Sequence, residues 1–405
     1  MIEISQALKI IKRETKPLGL ESVRLDKSVG RILAEDIFAD SDMPPFDRSQ
    51  MDGYAMKAKD TRTAPVDLRL VGESAAGRGW HNKLKDSETI RIMTGARVPD
   101  GADSIQKIEL TSESGDVVTI DEATTKGKYI VRRGAEIKIG KRLFQTGELI
   151  DERMIASLAA FGYPNVKVSA APRVSILGTG SEIVPVDEQP GDDQIRNSNS
   201  VMLKAMCEQV GATANVLPQS GDDLRKLKRV ISKAVGPKSK IPNPKSQILI
   251  ITGGVSVGKY DLTKAVLSEL GAEIYFQKVR LRPGKPAVFA RLNDTLIFGL
   301  PGNPVSAAVT FYLFVRNAIL LMQNATNTKL RSGFAVLASD AKAAKERDTY
   351  LPASLESDPS GKLIASPLRW HGSSDFVGFA RANILVALKR GQIIPAGDVV
   401  PILFL

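Results

Sequence analysis

One cysteine and two histidines are all that 405 residues contain. The lone Cys207 rules out an intrachain disulfide. With only His81 and His371 beside it, there is almost no way to build a His/Cys zinc or iron–sulfur centre. A metal bound here is expected to be a hard cation held by oxygens. Cys207 falls inside SVMLKAMCEQVGA, an apolar helical pattern, and reads as a buried, inert thiol. Aromatic residues make up 5% of the chain, and no basic motif is interleaved with them, which argues against a nucleic-acid binder. Long hydrophobic runs are missing as well. The longest, Ala307 to Val315, is too short to span a bilayer and is followed by Arg316. The opening stretch, MIEISQALKIIKRET, has the pattern of an amphipathic helix and not of a signal peptide. These absences point to a cytoplasmic protein with no membrane and no nucleic-acid partner.

What is present is ordinary in amount and informative in placement. The hydrophobic fraction is 43%, the charged fraction 25% and the formal net charge +11. A basic balance of this size suits small anionic ligands such as phosphates and oxyanions as well as it suits a plain solvated surface. At roughly 100–200 residues per domain, two to four domains are expected. Residues 1–40 read as helix, strand and helix. From 41 to 139, short β runs (DLRLVGES, ETIRIMTG, SIQKIEL, DVVTID) alternate with Gly, Asp and Ser turns, the signature of a small β domain. Helical patterning resumes at DERMIASLAAFG. After Pro172, strands and helices alternate: RVSILGTG, SVMLKAMCEQVGA, TANVLPQSG, DLRKLKRVISKAV, SQILIITGG and DLTKAVLSELG. After the β segments AEIYFQKVRL, PAVFARL and TLIFGL comes the long helix PVSAAVTFYLFVRNAILLM. That rhythm predicts a mostly parallel sheet with helices on both faces. The Pro- and Lys-rich VGPKSKIPNPKS inside it reads as an exposed loop. From about 330 onward FAVLAS, ILVAL and VVPILFL return to β.

In open parallel α/β sheets, ligands gather beyond the carboxyl ends of the strands. Four such ends are legible. ILGTGSE delivers Thr179, Ser181 and Glu182, and LPQSGDD delivers Asp222. ITGGVSVGKYD delivers Gly253, Gly254, Ser256 and Asp261. FGLPGNPVS delivers Pro301, Gly302, Asn303 and Ser306. In ITGGVSVGKYD, Gly253, Gly258 and Lys259 match a phosphate loop, but Tyr260 stands where a magnesium-binding hydroxyl belongs. The glycines are better read as letting backbone approach a phosphate or a flat ring. Asp261 is placed to cap the next helix or to hold a metal. Asn303 is expected to cap the helix that starts at Pro304, turning its free N–H groups toward an anion. Arg282 and Lys285 flank a Pro-Gly turn where their charged heads could converge on an oxyanion. Asp52, in the Met51–Tyr54 stretch, sits on a tight turn entering the β domain; a purely structural Asp–Gly turn is the bland alternative.

Taken in order along nearly the whole chain, PPFDRSQMDGYA, IMTGARVPDGAD, RVSILGTGSEIV, SNSVML, ITGGVSVGKYD, RPGKP, GLPGNPVSA and GSSDF resemble the molybdopterin molybdenumtransferases, the family of bacterial MoeA and the gephyrin E domain. The resemblance implies a multidomain α/β and β fold. Residues 1–41 with 140–171 would form a discontinuous first domain, and 42–139 an inserted small β domain. Residues 172–328 would form a molybdopterin-binding three-layer α/β domain with a mostly parallel sheet, and 329–405 a C-terminal β-barrel-like domain. It also implies an enzyme that inserts molybdenum from molybdate into adenylylated molybdopterin with release of AMP, Mg²⁺ being the cofactor. A homodimer with its active site at the subunit interface is implied too, with a molybdopterin adenylyltransferase as a candidate partner. By position, Asp52, Thr94, Glu182, Asp222 and Asp261 match residues important for activity, and Glu182, Asp222 and Asp261 would organise the metal. Thr179, Gly253, Gly254, Ser256, Gly258, Lys278, Pro301, Gly302 and Asn303 would hold the pterin nucleotide. Arg282, Lys285, Ser306, Arg347 and Ser373 would hold molybdate, Arg347 and Ser373 arriving from the last domain.

The chain departs from the family pattern at several of these places. Arg282 stands where lysine is usual, Ser181 and Asn197 where aspartate is usual, and Ala135 and Glu136 where the family shows Glu-Asp. Arg282 keeps the charge but offers a planar fork in place of a point donor. The others remove or shift negative charge, which leaves metal affinity and the choice between molybdate and tungstate open. Two alternatives accompany the main reading: an adenylyltransferase-like enzyme sharing the α/β domain, and a non-catalytic scaffold that kept the fold. The chain is longer than the first needs, and the retained carboxylates speak against the second.

Overall fold

The computed structural model describes residues 1–219, 223–236, 246–253, 262–368 and 372–405. Its contacts divide the chain into two units. One comprises Met1–Glu35, Thr146–Ile155 and Asn165–Leu405, and the other comprises Asp36–Gln145 and Ala156–Pro164.

In the larger unit the apolar runs of the sequence become a six-stranded sheet. We label its strands β1 (Arg173–Gly178), β2 (Thr213–Val216), β3 (Ile248–Thr252), β4 (Glu273–Phe276), β5 (Val288–Leu292) and β6 (Thr295–Leu300). The order is β2-β1-β3-β6-β5-β4. The first four are parallel, and β5 and β4 are antiparallel additions at one edge. Strands buried on both faces need no polar alternation. In β3, Ile248 and Ile250 join one core cluster while Leu249 and Ile251 join another. The helices that cover the two faces are α1 (Ile4–Glu14), α2 (Ser198–Gln209), α3 (Leu224–Val235), α4 (Leu262–Glu269) and the α5 run from Pro304 to Met322. Leu203 and Met206 of α2 and Phe311 and Phe314 of α5 pack on the Ile248 side; Leu227 and Ile231 of α3 and Val266 of α4 pack on the other.

By length and composition α5 could cross a membrane, with 19 residues and a mean hydropathy of 1.7, but 72% of that window is buried, as in a core helix. Its middle turn, Phe311–Val315, is π-helical. Cys207 is fully buried, and burial pushes its thiol pKa upward, in keeping with an inert residue.

The C-terminal strands β7 (Ser332–Leu337), β8 (Asp348–Ser357), β9 (Leu363–Pro367), β10 (Ile384–Leu388) and β11 (Val399–Phe404) pair in a ring, β8–β10–β11–β7–β9–β8, which closes a five-stranded barrel. Closure leaves no exposed edge within the ring. Its interior holds Ala335, Leu337, Ala353, Ala365, Ile384, Val386, Val400 and Ile402. The short strand Leu281–Arg282 adds to β8 in parallel.

The smaller unit is built on a second six-stranded sheet. Its order is Ser104–Lys107, Gly53–Met56, Glu88–Ile92, Val66–Ser74, Val117–Ile120 and Thr111–Ser114. One sequence expectation fails in the larger unit. The second helix expected within residues 1–40 is absent: only a 3₁₀ turn at Leu25–Lys27 follows the strand Leu20–Arg24. The apolar pair Ile32 and Leu33 is extended and bridges Leu149 and Val168. A short apolar run does not distinguish a buried strand-like segment from a helix, and here long-range partners decided.

Candidate functional site

Register places Gly178, Thr252 and Leu300 at one level along β1, β3 and β6, so the loops that follow leave the sheet together. They are tied to one another. The Thr179 N–H donates to the Thr252 carbonyl at 3.0 Å, and Thr252 Oγ1 donates to the Pro301 carbonyl at 3.2 Å. Gly253 has φ +89°, and a Cβ there would lie 2.3 Å from the Thr179 carbonyl oxygen, so only glycine permits this approach. Asn199, in the first turn of α2, completes the tie: its Nδ2 donates to Thr252 Oγ1 at 3.0 Å and to the Gly302 carbonyl at 2.7 Å. Glu182 is exposed at this edge and folds back over Gly180, whose missing Cβ would sit 2.4 Å from Glu182 Oε2. Asp222, Gly254, Ser256, Gly258 and Asp261 lie outside the described residues. Among the described residues no group of three or more His, Cys, Asp or Glu could hold a metal ion.

Beside the β6 loop lies a cavity of about 390 Å³ lined by Arg282, Lys285, Pro301, Asn303, Ser306, Arg347 and Ser373, with the Pro-Gly turn between Arg282 and Lys285. Three parts of the chain build it. Pairing of Leu281 and Arg282 with Asp348 and Thr349 of β8 draws Arg282 alongside Arg347, which enters that strand. The turn that carries Lys285 lies directly on α5. At Gly284, φ is +116° and a Cβ would meet Thr310 Cγ2 at 2.6 Å, so a side chain there would push the turn off the helix. Ser306, 5% exposed, comes from the first turn of α5. All five residues expected to hold an oxyanion thus line one cavity, together with Pro301 and Asn303. Among the described residues its lining has no carboxylate, and Arg282, Lys285 and Arg347 take part in no ion pair. Like charges converging without a counter-charge repel, and a bound anion removes that cost. Two guanidinium groups, an ammonium and two hydroxyls offer donors from several directions, which suits a small tetrahedral oxyanion.

The helix start differs from expectation. Asn303 occupies the N-cap position and Pro304 the first helical one, but the Asn303 side chain caps nothing. Its Nδ2 donates to Ser373 Oγ at 2.7 Å, and the Val305 N–H donates to the Ser373 carbonyl at 3.1 Å. Ser373 therefore serves the helix end, and the Val305 N–H is spent on its carbonyl and not left for an anion. Lys278, expected near the pterin, does not line the cavity; its carbonyl accepts the Ile2 N–H at 3.0 Å.

In the smaller unit Asp52 and Thr94 are brought together. Asp52 Oδ1 accepts the Thr94 N–H at 2.7 Å, so the carboxylate fixes the TG turn that carries the Thr94 hydroxyl. Asn199, which ties the loops at the sheet edge, is a residue that sequence reasoning passed over. It stood inside the SNSVML match, and the hint was a second amide just after the capping Asn197, on a helix facing the strand ends.

Three family models match the chain in succession: "MoeA N-terminal region (domain I and II)" over residues 2–162, "Probable molybdopterin binding domain" over 175–320, and "MoeA C-terminal region (domain IV)" over 335–405. The molybdopterin molybdenumtransferase of Staphylococcus aureus (strain COL) is 33% identical over 395 residues, covering 96% of this chain and 92% of the relative. That of Bacillus subtilis (strain 168) is 35% identical over 399 residues, covering 96% and 90%. The solved molybdopterin biosynthesis moeA protein of Pyrococcus horikoshii OT3 superposes with a TM-score of 0.85 at 27% identity, over 100% of both chains.

Proposed function

Because this chain belongs to the MoeA family of molybdopterin molybdenumtransferases, we infer that it acts in molybdenum cofactor biosynthesis, inserting molybdenum from molybdate into adenylylated molybdopterin as AMP leaves. The observation that carries this reading is the cavity in which Arg282, Lys285 and Arg347 converge with Ser306 and Ser373, with no carboxylate among the described residues that line it. Molybdate is a compact tetrahedral dianion and the oxygen-rich substrate the reaction needs. Charge-assisted donors bind such an anion with about 1.5–3 kcal/mol each. The tied loops at Thr179, Gly253 and Gly302 lie along the same sheet edge, where backbone can come close to a phosphate or a ring. Their role is to hold the pterin nucleotide so that its reacting end meets the oxyanion, an effect of proximity and orientation.

The finer parts of the proposal rest on family resemblance. They are the adenylylated form of the substrate, a homodimer that completes each site, the four-domain division, and Asp52 with Thr94 as groups acting on the substrate. Magnesium belongs with them. Of its expected ligands only Glu182 is among the described residues; it faces Gly180, and it belongs to no group of three or more metal-binding side chains among those residues. The test is direct: incubate the protein with adenylylated molybdopterin, molybdate and magnesium, and follow AMP and pterin-bound molybdenum. Equal amounts of both are expected. Tight molybdate binding with neither AMP release nor metal transfer would overturn the reading.

A further inference from the structure

A second charged group adjoins the cationic cavity, and in it every charge has a partner. Glu3 stands at the N-cap position of α1, yet its side chain caps nothing. Its carboxylate receives Arg390 through two bonds, Nη1 to Oε1 at 3.1 Å and Nη2 to Oε2 at 2.8 Å, and lies 3.1 Å from Arg280 Nε. Arg390 also meets β8. Its backbone N–H donates to Asp348 Oδ1 at 3.1 Å, and Lys389 Nζ lies 3.5 Å from Asp348 Oδ2. Asp348 follows Arg347 directly, and Arg280 stands two residues before Arg282. Backbone bonds take the same route. The Ile2 N–H donates to the Lys278 carbonyl at 3.0 Å and the Arg280 N–H to the Ile2 carbonyl at 2.8 Å, while the Asp348 N–H donates to the Arg280 carbonyl at 3.0 Å. The Val279 N–H closes the loop itself on the Lys285 carbonyl at 3.0 Å. The stem of the Arg282–Lys285 turn therefore runs between Ile2 on one side and the start of β8 on the other.

We propose that Glu3 and Arg390 are positioning residues for the oxyanion cavity. Their ion pair, extended to Arg280 and Asp348, clamps the stem of the turn to the start of β8. Arg282 and Lys285 leave from the first of these elements and Arg347 from the second. Repulsion among the three cations therefore acts to part the turn from β8 while the cavity is empty. Only two residue pairs, Leu281 with Asp348 and Arg282 with Thr349, join the two elements as strands. The ion cluster adds a side-chain hold across the same joint. A bidentate arginine–carboxylate pair fixes direction as well as distance, which suits that task. Donors held in place beforehand need not be gathered when the anion binds, and that difference appears as affinity. Glu3 and Arg390 side chains are each 41% exposed, so their pair adds little to folding and its effect falls on the geometry of the site. The inference rests on the functional reading above, which makes molybdate the ligand of the cavity.

The test measures molybdate affinity by titration calorimetry on the full chain, well below the melting temperature of each variant. Glu3→Ala and Arg390→Ala should each weaken molybdate about fivefold to tenfold. The double variant should be no weaker than either single one, because both changes open one clamp. Glu3→Gln keeps the shape of the side chain but not its charge, and should weaken molybdate about threefold. It decides by the same criterion if an alanine variant fails to fold. The control is Glu269→Ala, which breaks an ion pair with Lys228 between α3 and α4 and should leave molybdate binding unchanged. In single-turnover cofactor formation the half-saturating molybdate concentration should rise by the same factors, with the rate at saturating molybdate unchanged. A general loss of structure would not give that split. If Glu3→Ala and Arg390→Ala bind molybdate within about twofold of wild type, whatever their melting temperatures, the clamp is scaffold alone and the proposal is wrong while the oxyanion site stands. An equal loss in Glu269→Ala would overturn it as well. If wild type itself fails to bind molybdate, the functional reading falls and takes this inference with it.

Discussion

In the small β unit, arginines meet carboxylates. Arg91 lies between Glu113 and Glu73, Arg78 reaches Glu73 at 3.3 Å, Arg69 holds Glu88 at 2.6 Å, and Arg133 holds Asp42 at 2.7 Å. At the start of α5, Arg282, Lys285 and Arg347 meet no carboxylate among the described residues. The first arrangement is complete in itself. Exposed pairs of that sort contribute about 0–1 kcal/mol each and mainly hold surface geometry. The second has cations and, among the described residues, no anion, so it closes electrostatically when something negative arrives. Arginine content is similar in kind in both regions; the presence or absence of an internal counter-charge separates scaffold from site.

Supplying that counter-charge should remove the contrast. Ser306→Asp places a carboxylate among the three cations, and we expect molybdate affinity to fall by more than about a hundredfold, since the site then carries its own anion. Titration of molybdate against single-turnover cofactor formation would check it, and near-wild-type affinity would refute the cavity as the oxyanion site. Taking cations away singly is gentler. Arg282→Ala, Lys285→Ala and Arg347→Ala should each weaken molybdate about tenfold to a hundredfold. Arg282→Lys should stay within about threefold because the charge survives. Were pterin binding lost in these variants with molybdate dependence intact, the cations would be phosphate ligands instead.

Smaller still is Asn303→Ala, which leaves every charge in place and removes only the bond to Ser373. About 1 kcal/mol, or roughly fivefold in molybdate affinity, is expected. An unchanged titration would show that Ser373 is held well enough by the Val305 N–H alone. The least effect belongs to a three-residue ion cluster in the β unit. Hydrogen bonds from Lys57 and Lys59 lower the Asp86 pKa from 3.8 to about 2. A depressed carboxylate stabilises above its unfolded pKa, and that contribution is lost as pH falls from about 4 to about 2. Asp86→Asn should therefore melt slightly below wild type at pH 7, with the difference vanishing across that window. A difference that persists at pH 2 would mean that packing, and not charge, is responsible.

Much of the scaffold was open to sequence reasoning. Apolar runs that end in glycine (ILGTG, IITGG, IFGLPG) gave the parallel strands and the ligand edge, because a strand buried on both faces needs no polar residue until it stops. The basic turn Arg282–Lys285 was legible for the same local reason. What local rules could not supply was what the rest of the chain brings to a residue. Asn303 has the composition of a cap, yet Ser373 offers its side chain a better partner. Asn199 looks like one amide among several until Thr252 and Gly302 arrive beside it. Ile32 and Leu33 suited a helix until Leu149 and Val168 engaged their backbone. Arg347 and Ser373 were reached only through resemblance, since nothing near them in sequence points to an anion.

The bond between Asn303 and Ser373 spans 70 residues. As an entropy cost that span is modest, because each doubling of a closed loop adds only about 0.6 kcal/mol. As a matter of timing it is decisive. A chain leaving the ribosome exposes Arg282, Lys285 and the start of α5 well before position 373 has been made. Until then the cations have a floor and no far wall, and the helix end lacks the carbonyl that receives the Val305 N–H. The site is thus among the last features a nascent molecule can complete, so a prematurely terminated chain would carry the charges without being able to enclose an anion with them.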